Sequence, residues 1–297
     1  MRAFFFFTLY SNRMLFLLKL LLVPILIALV TLAGRRWGPG VAGRLSALPV
    51  VAGPILLAIA LEQGAEFAAT AAANTLLAVL AILVFSIAYA RSARFGLGRA
   101  MTVALLAYAL AVLVLKSVAI GLWTGFAVVL VALLAAPFLF GPAPAQAAPG
   151  EPGARTPGAR TPGARIPSND LPWRMLAGAV LSLGVTYAAA QLGARLSGLF
   201  AMFPVMSTVL VGFSHRASGP GFAVALLRGM VNGYYAFAVF CLVLSLLLRT
   251  ESIGLAFLVA TCAALAVQFA VKWILGRATA ASSLRAAACP PAQRGLE

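Results

Sequence analysis

Residues 118–140 hold no charged side chain in 23 positions, and residues 65–90 hold one, Glu66. A run of this length crosses a bilayer as a helix, about 1.5 Å per residue over about 30 Å of hydrocarbon. Inside lipid the backbone must satisfy its own hydrogen bonds, so such runs have only the helix or a closed barrel open to them. The runs are too long and too uniformly apolar for barrel strands. The rest of the chain agrees: 63% of its 297 residues are hydrophobic and 9% charged. Mean hydropathy is +1.04. The expected class is an all-α, polytopic integral membrane protein.

Nine spans are expected, near residues 14–34, 41–61, 65–90, 97–115, 118–140, 173–193, 196–214, 219–248 and 252–275. One stretch organises them because it occurs twice. GPGVAGRLSALPV runs over 38–50 and GARLSGLFAMFPV over 193–205. Gly38, Gly43 and Pro49 fall on Gly193, Gly198 and Pro204 at a constant offset of 155. The same offset carries Gly64 onto Gly219 and Phe67-Ala68 onto Phe222-Ala223 without gaps. Gly and Pro weaken helices, so the spans at 41–61 and 196–214 should be interrupted near Pro49 and Pro204.

The offset divides the chain into units. Residues 1–13 read as an N-terminal extension, with Met14 an alternative start, and 14–116 as a first membrane repeat. Residues 117–140 form a linking transmembrane helix, and 141–172 a flexible Pro/Gly/Arg linker containing GARTPGARTPGARIP. A second repeat covers 173–275 and a disordered cytoplasmic tail 276–297. Five spans separate equivalent helices, so the two four-helix repeats must lie in opposite orientations. Placing the N-terminus outside puts sixteen of the 22 Lys and Arg on the cytoplasmic side. The net charge of +16 is thus explained by topology in an inner membrane, and no nucleic-acid motif accompanies it.

The second copy, LSGLFAMFPVMSTVLVGFSH followed by GPGFAVALLRGM, resembles a set of uncharacterised bacterial inner-membrane proteins with internal repeats. More distantly it is similar to the small four-helix membrane proteins of the GlpM family, through a Gly…Phe-Pro step after the first helix. The first half departs from the pattern at Leu48 and Ala73, where the second has Phe203 and Arg228. The resemblance implies an inner-membrane location and an envelope-related role, and supplies no substrate.

Catalytic patterns are missing: there is one histidine, and no HExxH, GxSxG or Walker A sequence. Cys241, Cys262 and Cys289 lack metal-ligand spacing. No enzyme, metal or cofactor is expected. A charge within a span marks a path or a partner, or an Arg that snorkels to the headgroups. Arg228 lies nine residues past Gly219, with Asn232 and Tyr235 on the same helical face. Glu66, Thr70 and Asn74 form a second polar face on the third span. These faces are expected to meet across the pseudo-symmetry axis, with Glu66 or Glu62 as a proton-coupling carboxylate, against the plainer reading of both as interface charges. Gly43 and Gly198 read either as close-packing positions or, with Pro49, Pro204, Ser207 and Thr208, as the lining of a midplane site. The GxxxG pairs Gly121-Gly125 and Gly229-Gly233 read as packing, and His215 as a loop partner of Arg216. The functional expectation is a secondary-transporter-like permease for an unidentified small solute, anionic or polar. The alternative is a non-transporting accessory protein of envelope or polysaccharide assembly.

Overall fold

A computed structural model describes residues 21–49, 52–117, 120–141, 170–191 and 203–288. The described residues are helical with no strand. Helix α1 covers residues 21–37. It is followed by α2 (Pro39–Ser46), α3 (Ala52–Gln63) and α4 (Ala65–Ser92). Next come α5 (Leu97–Lys116) and α6 (Leu122–Leu139). The remaining helices are α7 (Leu171–Gln191), α8 (Val205–Leu247) and α9 (Ile253–Ala288). Five of them are long and apolar enough to cross a membrane: 65–95, 97–115, 122–139, 205–247 and 253–274. Two of the expected nine spans appear instead as shorter apolar helices, Ala52–Gln63 and Leu171–Val185. The reason for the first is the interruption near Pro49, which separates α2 from α3. Residues 21–34 of the span expected at 14–34 lie in α1, and residues 14–20 lie outside the described residues.

Single glycines turn the chain. Gly64, at φ 93° and ψ 162°, joins α3 to α4, and Gly219, at φ 82° and ψ 174°, interrupts α8. This backbone region is open essentially to Gly alone. At Gly219 the effect is a reversal. Ser207 Oγ lies 3.5 Å from Met230 Sδ, although a straight helix would hold these residues about 35 Å apart. Helix α8 is therefore a hairpin of two limbs, 205–218 and 220–247. Adding 155 to the bounds of α4 gives 220–247, the second limb, so both reversals introduce a helix of 28 residues.

Two pairs of helices that the offset relates run antiparallel. Between α1 and α7, Arg35 meets Asp170 at one end, and further along a Cβ on Gly178 would collide with Ile27. Between α4 and α8, Ser245 donates to the Ala69 carbonyl at 2.9 Å at one end. At the other end Arg91 and Arg228 converge on the last turn of α6. The second limb of α8 is the centre of the bundle, burying Leu226, Leu227, Met230, Ala236, Ala238, Phe240, Cys241 and Leu244. Large apolar side chains on α5, α6 and α9, such as Leu106, Val131 and Phe269, point outward, as lipid-facing positions do.

Helix α9 runs to Ala288, beyond the span expected to end at residue 275. The Ala-rich sequence after Gly276 favours helix and meets no breaker before Pro290. That part of the expected disordered tail is helical. Most of the expected linker, residues 142–169, lies outside the described residues.

Candidate functional site

The broken crossing is the first element of the site. Helix α2 lies flat against the second limb of α8. A Cβ on Gly43 would sit 2.6 Å from the Met230 amide nitrogen, and one on Gly229 2.6 Å from the Gly40 carbonyl oxygen. One on Gly233 would press on Ala47 and stand 2.9 Å from the Arg44 carbonyl oxygen. Small residues on both helices permit this approach, so Gly43 and the pair Gly229-Gly233 pack as a helix-to-helix crossing. Gly125 serves similarly, facing Leu77 at 3.1 Å, whereas open space faces Gly121. Above the crossing, α2 ends at Ser46, residues 47–49 turn, and the Gly53 amide of α3 donates to the Pro49 carbonyl at 2.7 Å, with Phe240 3.8 Å from a Cβ placed on Gly53. Gly233 stands 14 residues along the limb from Gly219, about 21 Å, so the turn after α2 lies about midway along that limb.

The equivalent position, Pro204, is described from Phe203 onward. Pro204, buried, adopts φ −79° and ψ 60°, and the Val205 amide donates to the Phe203 carbonyl across it at 2.8 Å. This is an inverse γ-turn, and α8 starts directly after it. Ser207 is buried and within hydrogen-bonding reach of Tyr234. The hydroxyls of Thr208 and of Tyr108, whose ring meets Phe203 edge-on at 6.0 Å, have no partner among the described residues. Gly198 lies outside the described residues.

The expected meeting of two polar faces does not occur. Glu66, Thr70 and Asn74 are exposed, and Thr70 donates to the Glu66 carbonyl of its own helix. Helix α4 turns Ala68, Ala69, Ala72 and Leu76 inward instead. Their small size lets Ser245 reach the Ala69 carbonyl. Glu62 is half-buried at the end of α3. Asn232 and Tyr235 are half-buried on α8. Arg228 leaves that face to cap α6: its guanidinium donates to the Gly141 carbonyl at 2.6 Å and stands 5.8 Å from the Phe140 ring centre. Arg91 adds a bond to the Leu139 carbonyl at 3.0 Å. Two cations thus meet the negative end of one helix.

His215 is a correction of the same kind. It pairs with Tyr89, not with Arg216: its Nδ1 is 2.7 Å from the tyrosine hydroxyl, joining α4 to the first limb of α8. Both rings are amphipathic and sit where helices meet, which sequence position alone does not reveal.

One cluster is not foreshadowed by any motif. Arg174 on α7 is 1% exposed and donates to Asp170 Oδ2 through both a terminal nitrogen (2.8 Å) and Nε (3.0 Å). Arg35, at the end of α1, donates to Asp170 Oδ1 at 3.0 Å. Ser214 Oγ lies 3.4 Å from Arg174, and the Phe213 ring 5.4 Å from its guanidinium carbon. The one sign of it in the sequence is the i, i+4 spacing of Asp170 and Arg174, at what reads as the edge of a linker. This cluster, the Tyr89–His215 pair and the capped end of α6 share one end of the bundle.

No family model, curated protein or solved structure matches the chain. What the described residues establish is a helical protein with the apolar spans of a membrane-embedded one.

Proposed function

We propose that the chain is a secondary-transporter-like permease for a small solute, built from two inverted four-helix repeats and one linking helix. The observation that carries this reading is the turn over residues 47–49 between α2 and α3, matched at the same offset by the γ-turn at Pro204. Broken helices at corresponding places expose backbone groups that lipid would not tolerate unless they face protein or a polar path. The antiparallel pairing of α1 with α7 and of α4 with α8 supports opposite orientation of the halves. The gathering of Arg35, Arg91, Arg174 and Arg228 at one end supports placing that end at the cytoplasm of a bacterial inner membrane. The N-terminus is then outside and the C-terminus inside. The excess of cations leans the solute towards an anion.

Two experiments test the proposal. Single cysteines at positions 46 and 197 should label from opposite faces of right-side-out vesicles; labelling from one face ends the inverted-repeat reading. A panel of solutes screened for thermal stabilisation of the purified protein, followed by uptake into proteoliposomes, should reveal a transported ligand. The close Gly43–Gly229 crossing would serve a static scaffold equally well, so the second reading is a non-transporting accessory protein of envelope or polysaccharide assembly. A stoichiometric protein partner on purification, with no stabilising solute, selects it.

A further inference from the structure

We propose that the end of α6 is a headgroup site for an anionic phospholipid, whose phosphate lies between Arg91 and Arg228 and completes the cap of that helix. Four observations lead there. First, the depth fits. Helix α6 has 18 residues, about 27 Å, so its last turn stands where hydrocarbon gives way to headgroups. Second, the charge at that turn is unbalanced. Arg91 donates to the Leu139 carbonyl and Arg228 to the Gly141 carbonyl, and neither forms an ion pair among the described residues. A helix end supplies about half a negative charge, so two guanidiniums leave more than one positive charge in excess. Third, donors remain. Arg91 is bonded through Nε, which leaves both of its terminal nitrogens for a further acceptor. Arg228 is bonded through one terminal nitrogen, and its Nε is buried without a partner among the described residues. A buried N–H is costly until an acceptor reaches it, and phosphate oxygens accept from two guanidiniums at once. The buried Phe140 ring, 5.8 Å from the Arg228 guanidinium carbon, helps to hold these donors at the helix end.

Fourth, the surface leading away from this turn is apolar. Val131, Leu134 and Phe138 project outward on successive turns of α6, Phe138 with 85% of its surface exposed. An acyl chain joined to the phosphate covers this face, whereas a free oxyanion gains nothing from it. The occupant is therefore a lipid and not a dissolved anion. The proposal rests on membrane embedding and not on transport. Lipid binding is read on the purified protein and solute movement only by flux, so either can fail while the other stands.

The melting temperature of the full chain in uncharged detergent is followed against phosphatidylglycerol. Phosphatidylcholine and inorganic phosphate are titrated in parallel at constant ionic strength. The wild type should show a saturable rise with phosphatidylglycerol and none with the other two. Arg228→Gln should abolish the rise. Arg91→Gln alters an exposed side chain and should weaken the apparent affinity about fivefold. Arg277→Gln removes an exposed cation stacked on Trp273 of α9 and should leave the affinity unchanged. If Arg228→Gln does not fold, the contrast between Arg91→Gln and Arg277→Gln carries the test. No rise with phosphatidylglycerol, an equal rise with either of the other probes, or equal affinities in wild type and Arg91→Gln overturns the proposal. An equal loss in Arg277→Gln also overturns it, because the response then belongs to basic charge in general and not to this helix end.

Discussion

Two hairpins in this protein turn on one glycine each. In the first, Gly64 joins α3 to α4; in the second, Gly219 joins the two limbs of α8. The glycines share a backbone conformation, and the helices that follow have the same length. Their side chains differ. Asn74 on α4 is exposed, while Gly229, its equivalent on α8, carries the close crossing with α2 together with Gly233. Ala73 is matched by Arg228, which crosses to cap α6. The lesson is that the same turn conformation introduces two helices whose equivalent positions meet different neighbours, and residue size at a few positions decides how closely those neighbours approach.

The comparison breaks or sharpens most strongly at the glycine crossing. Gly43→Ala or Gly229→Ala sets a Cβ against backbone, which cannot shift cheaply, and should cost about 3 kcal/mol. Asn74→Ala, at the place equivalent to Gly229, should change stability by less than about 0.5 kcal/mol. Thermal melting of detergent-purified protein checks both, and similar losses at the two places would show that the hairpins carry equal burdens.

Next come the turns themselves. Gly64→Ala and Gly219→Ala each force a side chain into a strained backbone region and should each cost about 1–3 kcal/mol. Neither position has an atom within 4 Å of the added Cβ, so strain alone is measured. Unequal melting shifts would mean that the shared conformation is differently supported in the two hairpins.

Arg228→Ala should lower stability by about 1–2 kcal/mol through loss of the α6 cap. Its membrane insertion should be intact, and uptake into proteoliposomes lost. Normal flux would confine Arg228 to capping. Arg91→Ala, an exposed partner on the same helix end, should have the smaller effect in the same assay. The smallest change is expected of Glu66→Gln, because its side chain faces away from the bundle. An altered pH response of uptake in that variant would return the carboxylate to the coupling role that the exposed geometry argues against.

Helical class, the broken crossing and the paired glycines at the turns are legible in the residues themselves. Each rests on local chemistry: apolar length, the missing amide of Pro49 and Pro204, and the absent Cβ of Gly64 and Gly219. The close-packing reading of Gly43 and Gly229-Gly233 is legible for the same reason, since small residues at helical spacing admit few alternatives. The polar faces are not. Spacing places Glu66, Thr70 and Asn74 on one side of α4 and cannot say whether that side looks inward, because helical period fixes relative direction only.

The sequence by itself determined that this chain is helical and apolar enough for a membrane. Local backbone preference and transfer of apolar groups from water suffice for that. Only tertiary structure decided where the charges go. Asp170 reads as the end of a linker, Arg35 as the end of a helix and His215 as part of a loop, and each acquires its partner from a segment between 4 and 135 residues away. Electrostatic and hydrogen-bond partners depend on distances in space, and those are set when α1, α7 and α8 pack together.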